Sequence, residues 1–282
     1  MKTDLKQLLR DLRGAVMLNH PQAVDMALNG LLKLPGVASN DRMSDHTIDH
    51  IVLPVGEILA TLKAPVLRPL TTHHLAVGRA VGGVALAHRL VKQTDTTAKD
   101  LVRPASDPRQ DVRQALGKAV LGLSTTYPTK IFDLAKAWLS QPGSRLRYTA
   151  LVFLPGLASS CPMQLLDLVS NLDGDSDRDV RAALVEALNT LARHALAVPV
   201  LDLLAIWSEK SEPNTWVISR ILSASWVSEH PFEVKSILRT LQTKTGESGD
   251  IQHARKALKR HGLEIDLGGT GPGQKNDIEE IT

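Results

Sequence analysis

Apolar positions recur at helical spacing along nearly the whole chain. In "DRDVRAALVEALNTLARH", Val180, Ala183, Leu184, Ala187, Leu188 and Leu191 form one stripe; in "DPRQDVRQALGKAVLGL", Val112, Ala115, Leu116, Ala119, Val120 and Leu123 repeat it. Sustained two-residue alternation does not occur, so the pattern predicts an all-α fold. Prolines punctuate it. Pro128, Pro162, Pro199 and Pro231 lie 34, 37 and 32 residues apart, each read as opening the second helix of a pair, where the missing N–H has no partner to lose. Arg113, Arg147 and Arg181 keep a step of 34 residues in the first helices. Paired helices at that interval predict an α-solenoid.

The pairs are expected at 107–141, 144–175, 177–210 and 214–243, followed by a helix over 250–261 capped by Gly262. Upstream, 4–18 and 21–34 pair around Pro21, and 44–64 and 67–93 read as two longer helices. Pro54 and Pro155 should kink or break the helices that contain them. The expected organisation is therefore divergent N-terminal helical repeats over 1–93, a polar connector over 94–106, a repeat domain over 107–262, and a flexible tail over 263–282.

With those residues in hand, the units resemble HEAT repeats, whose first helix commonly carries an Asp, a Val-Arg pair and alanines. "DPRQDVRQAL" and "DRDVRAAL" match well, and "SRLRYTAL" matches in part. The resemblance implies a right-handed α-solenoid of antiparallel helix pairs and, most simply, a noncatalytic scaffold for a protein partner. It also extends, at the level of architecture, to bacterial alkylpurine DNA glycosylases of the HEAT-like type, which makes DNA binding, with or without base excision, the rival expectation. Some bilin lyases share the architecture too, but no residue pattern here points to a pigment.

Composition narrows this modestly. Apolar content of 43% and charged content of 22% are ordinary for a globular protein, and a formal charge of +3 permits an anionic partner without demanding one. A single cysteine, Cys161, excludes an intrachain disulfide and a cysteine-based zinc cluster. The N-terminal residues mix acids and bases through their apolar positions, and no apolar run reaches membrane-spanning length. A cytoplasmic protein without a membrane partner is expected.

No catalytic constellation, resident cofactor or metal is expected. The i, i+4 pair His46 and His50 lacks the glutamate of zinc proteases, and "GRAVGGVALAH" reads as small residues permitting close helix contact rather than a phosphate loop. Cys161, with no base beside it, reads as a packing residue. The recurrent arginines read as structural, paired with acids such as Asp111 and Asp179. Partner contacts are expected from residues that interrupt apolar stripes, namely Lys136, Gln164, Asp202, Lys235 and Arg239, with Trp216, Arg220 and Trp226 as anchors. Trp216 and Trp226, ten residues apart, are expected on one helix side, with Trp138 and Trp207 in the core. Nucleic-acid contacts, if made, are expected from Arg255, Lys256, Lys259 and Arg260.

Overall fold

A computed structural model of the chain describes residues 5–34, 43–92 and 97–267. All regular structure among those residues is helical, with no strand. They divide into two compact units, Met1–Leu196 and Ala197–Thr282.

The first unit begins with α1 (Leu5–Met17) and α2 (Pro21–Leu32), an antiparallel hairpin with Pro21 opening the second helix. Next come α3 (Asp45–Thr47), a π turn over Ile48–Val52, and α4 (Leu53–Leu59). Pro54 does not break this helix. The Leu53 N–H reaches back five residues to the Ile48 carbonyl, and the wider turn just before the ring makes room for it. A short α5 (Ala64–Leu67) and a 3-10 turn over Arg68–Thr72 lead into α6 (Ala76–Lys92).

From there first and second helices alternate: α7 (Ala98–Ala105), α8 (Gln110–Ser124), α9 (Pro128–Leu139), α10 (Ser144–Phe153), α11 (Pro162–Val169) and α12 (Arg178–Leu191). Helix α6 packs on α8, α8 on α10, and α10 on α12. Pro128 and Pro162 open second helices as expected, and Pro155 ends α10 in a 3-10 turn over Leu154–Leu157.

One expectation fails here. Residues 98–105 form α7 instead of a connector. Thr97 and Asp100 make a capping box at its start, and Leu101, Pro104 and Ala105 are buried. Helices α6 and α7 therefore make one more pair, continuous with those that follow.

The spines are apolar. Val84, Leu116, Ala150, Phe153, Val180 and Leu184 are all fully buried, each large side chain contributing roughly 1.5–3 kcal/mol on leaving water. The helices approach closely where glycine allows it. A Cβ at Gly117 would lie 2.6 Å from Val152 Cγ1, and one at Gly83 would lie 2.9 Å from Pro104 Cβ. The small residues of "GRAVGGVALAH" do serve helix contact.

The second unit contains α13 (Ala197–Ser208), α14 (Thr215–Ile221), a 3-10 turn over Ser225–Glu229, α15 (Pro231–Thr245) and α16 (Gly249–Arg260). Helix α13 packs on α15, and α14 on α16. Pro231 opens α15, but Pro199 is the third residue of α13 and not its first. Trp207 is wholly buried, as Trp138 nearly is in the first unit. Gly262 ends α16 at φ +82, a conformation that suits glycine. Ile265 and Leu267 are buried, so the first residues of the expected tail pack against the fold. The remainder, from Gly268, lies outside the described residues, as do residue 93 and residues 94–96 of the expected connector.

Candidate functional site

Three arginines at the 34-residue step, Arg79, Arg113 and Arg147, make internal contacts, and their geometry repeats. Arg147 donates Nε to Asp175 Oδ2 at 2.6 Å and NH1 to the Gln141 carbonyl at 2.9 Å. Arg79, 34 residues before Arg113, donates Nε to Asp107 Oδ2 at 2.6 Å and NH1 to the His73 carbonyl at 3.0 Å. Arg113 donates NH1 to the Asp107 carbonyl at 2.7 Å. Each arginine thus clasps the carbonyl six residues before it; Arg79 and Arg147 also hold the acid 28 residues after. That acid occupies the corresponding place before the next first helix. The same side chain caps its own turn, because Asp107 Oδ1 accepts from the Arg109 N–H and Asp175 Oδ1 from the Asp177 N–H, both at 2.9 Å.

At residue 141 the acid is replaced by glutamine. Arg113, nearly fully buried, lies instead under Tyr148, with its Cζ 5.0 Å from the ring centroid, and approaches Asp179 at 3.7 Å. Asp179 therefore has the expected role and Asp111 does not. The Asp111 carboxylate is taken by Arg109, at 2.7 Å, and by the Met43 N–H, at 2.8 Å. Burial opposes its ionisation, but those donors hold its carboxyl below the usual range.

His73 occupies the first of these capping places, and its Nδ1 accepts from the Leu75 N–H at 3.1 Å. Its Nε2 lies 2.9 Å from Asp25 Oδ1, which is 3.5 Å from His74 Nε2. These three residues border a cavity of about 310 Å³ and sit close enough to suggest a cation site. The capping bond argues against one. With its lone pair on Nδ1 engaged, neutral His73 carries its proton on Nε2, whereas a metal ligand needs the lone pair there and usually a donor at the other nitrogen. Burial, then the neighbouring His74, lowers the His73 pKa, consistent with a neutral ring facing Asp25. The arrangement reads as a clasp between α2 and the turn before α6.

His46 and His50 lie with ring centroids 4.4 Å apart. The acids beside them, Asp45 and Asp49, bind Lys118 of α8, each at 2.9 Å. Cys161 is the N-cap of α11, its Sγ 3.7 Å from the Leu157 carbonyl. Burial pushes that thiol up, away from reactivity.

The surface candidates are placed as follows. Lys136 on α9 and Gln164 on α11 are exposed, in the first unit. In the second, Asp202 is exposed on α13 between Val198, 49% exposed, and Ile206, 64% exposed. Spaced i, i+4 and i+8, the three share one helix face. On the adjoining α15, Phe232 is 84% exposed, Arg239 is exposed and Lys235 half-buried. Trp216 and Trp226 do not share a helix side, because α14 ends at Ile221 and Trp226 belongs to the following 3-10 turn. Trp226 meets His230 edge-on, with centroids 6.3 Å apart. Trp216 lies under the Arg220 guanidinium, 5.7 Å from Cζ.

Arg220 also donates NH1 to His253 Nε2 of α16 at 3.0 Å, a meeting the sequence gives no spacing to reveal. Of the α16 bases, Arg255 pairs with Glu247 at 3.4 Å and Lys259 with Glu264 at 2.7 Å, around a groove of about 390 Å³. Lys256 and Arg260 are exposed.

Neither a protein-family model nor a curated protein matches the sequence. Among solved structures, the crystal structure of an engineered protein aligns at a TM-score of 0.34 with 15% identity, over 71% of this chain and 98% of its own. Similarity at that level carries no inference. No helix among the described residues is long and apolar enough to cross a membrane.

Proposed function

We propose that the chain is a noncatalytic scaffold of HEAT-like helix pairs, stacked within each compact unit as a right-handed α-solenoid, and that it binds a protein partner through exposed second-helix side chains. The observation that carries this reading is the α13 face, where Val198 and Ile206 flank Asp202 in the open. Large apolar side chains around a charge suit a protein interface, since burial supplies affinity and the charge supplies register. Met163 of α11 and Phe232 of α15, each next to a helix-opening proline, are similarly exposed.

The nucleic-acid alternative, including base excision, draws on the α16 bases. It is weakened because Glu247 and Glu264 interrupt them, and because the repeating arginines are consumed by internal carbonyls and acids.

The test is affinity capture from cell extract treated with nuclease. The scaffold reading expects a specific protein whose recovery falls at least about tenfold with Val198→Glu and Ile206→Glu together, a loss of about 1.4 kcal/mol or more. The urea midpoint of that variant should be unchanged, since both sites face water. Recovery that vanishes with nuclease, or is indifferent to both substitutions, would overturn the reading.

A further inference from the structure

The meeting of Arg220 and His253 has a chemical consequence. A guanidinium only donates hydrogen bonds, so His253 Nε2 must accept, with the ring proton on Nδ1 and the imidazole neutral. On α16, His253, Lys256 and Arg260 follow one another at i, i+3 and i+7 and share a face. Arg220 comes to that face from α14, laid over Trp216. Three permanent cations thus gather around one neutral, protonatable ring.

The acid on this side is engaged, since Asp250 Oδ2 accepts from Thr215 Oγ1 at 3.0 Å. Burial, then Arg220 and Arg260, hold His253 below the usual imidazole value, with Asp250 opposing and Lys256 adding to them. Among charged groups, these four, from α14 and α16, act most strongly on His253.

We propose that Arg220, His253, Lys256 and Arg260 bind a phosphate monoester, carried on a phosphorylated side chain of the protein partner, and that His253 takes up a proton as it binds. The identity of the carrier rests on the scaffold reading; the phosphate chemistry does not. A phosphoryl oxygen replaces His253 as acceptor for Arg220 NH1. The ring, released from accepting, gains a proton at Nε2 from solvent and becomes a second donor to the anion. A monoester brings a charge of about −1.5 to −2 at neutral pH and three acceptor oxygens, which suits a compact cluster. A nucleic-acid backbone, with single charges spread along a strand, needs a continuous basic track, and the acids among the neighbouring α16 bases interrupt one.

Isothermal titration calorimetry on the full chain tests this directly. The probes are inorganic phosphate, an alanine peptide with a central phosphoserine, its unphosphorylated twin and a duplex oligonucleotide, each in two buffers of different ionisation enthalpy. Phosphate and phosphopeptide should bind and the twin should not. Binding should tighten from pH 8 to pH 7, with proton uptake shown by the difference between buffers. Arg220→Ala and the Lys256→Ala, Arg260→Ala pair should each weaken binding by about tenfold or more. His253→Gln should still bind, with its proton uptake gone and no tightening from pH 8 to pH 7, since the anion's own second ionisation alone weakens binding in that direction. Absent phosphate binding, or binding indifferent to Arg220, would overturn the site. Proton uptake surviving in His253→Gln would overturn the role of His253. A duplex that binds more tightly than the phosphopeptide, with a salt slope of several phosphates, would reassign the surface to nucleic acid. Inorganic phosphate requires no partner, so loss of the scaffold reading leaves this result standing, and the reverse also holds.

Discussion

At the scale of single residues, the chain spends its recurrent charges on itself. Asp107 serves three neighbours at once: its carboxylate holds Arg79 and caps the Arg109 N–H, and its carbonyl holds Arg113. Its side chain is 5% exposed and that of Arg79 is 17% exposed. Removing one partner from a buried pair leaves the other charge without compensation, at a cost of about 3–5 kcal/mol. Asp107→Ala should lose that much in urea unfolding. Asp107→Asn, which keeps an oxygen for the turn amide, should lose visibly less. Equal, negligible losses would mean the clasp contributes nothing. The arginine step and its structural meaning were legible, because identical residues at one interval leave a trace in the sequence. The acid assignment was half right. Asp107 and Asp175, six residues before Arg113 and Arg181, were there to be read, but half of each clasp ends on a backbone carbonyl, which has no residue signature.

Between elements, what decides the outcome is room. Alanine outranks glycine in helix propensity by about 0.8–1.0 kcal/mol, yet two glycines of α8 should respond in opposite directions. Gly122 has nothing within 4 Å of a built Cβ, whereas at Gly117 the new atom would meet Val152 at 2.6 and 2.8 Å. Overpacking costs about 1–3 kcal/mol, so Gly117→Ala should lower stability by roughly 1–2 kcal/mol while Gly122→Ala raises it by up to about 1 kcal/mol. Denaturation midpoints of both variants, at unchanged m-values, check this; the same sign in both would refute it. Long amphipathic helices such as α8 and α12 were legible, since their stripes run for three turns or more. Short α7 was not. Its eight residues include Pro104 and sit in polar company, though the Thr97–Asp100 capping box announces its start. Pro54 was expected to kink or break its helix and is accommodated by a π turn over Ile48–Val52, in a helix that packs on α6.

For the molecule, the clasp recurs at the 34-residue step at Arg79, Arg113 and Arg147, and the solenoid reading makes that step a mechanical unit. Removing residues 141–174 joins Ser140 to Asp175 and keeps the register, so that α8 is followed by α9 and then α12. In the shortened chain Arg113, which in the full chain has Gln141 at the acid position, would find Asp175 there, in the relation that Arg147 and Asp175 now hold. If each first unit helix pair contacts chiefly its neighbours, as the solenoid reading requires, stability should fall by roughly one repeat's share while folding stays cooperative. Circular dichroism should show helix lost in proportion to the residues removed, with a single urea transition. A deletion of half that length, 141–157, removes α10 with its 3-10 turn and leaves α9 followed directly by α11, two second helices with no first helix between them, and should not fold. If both deletions behave alike, the first unit has one indivisible core, and its periodic sequence would reflect ancestry more than present mechanics.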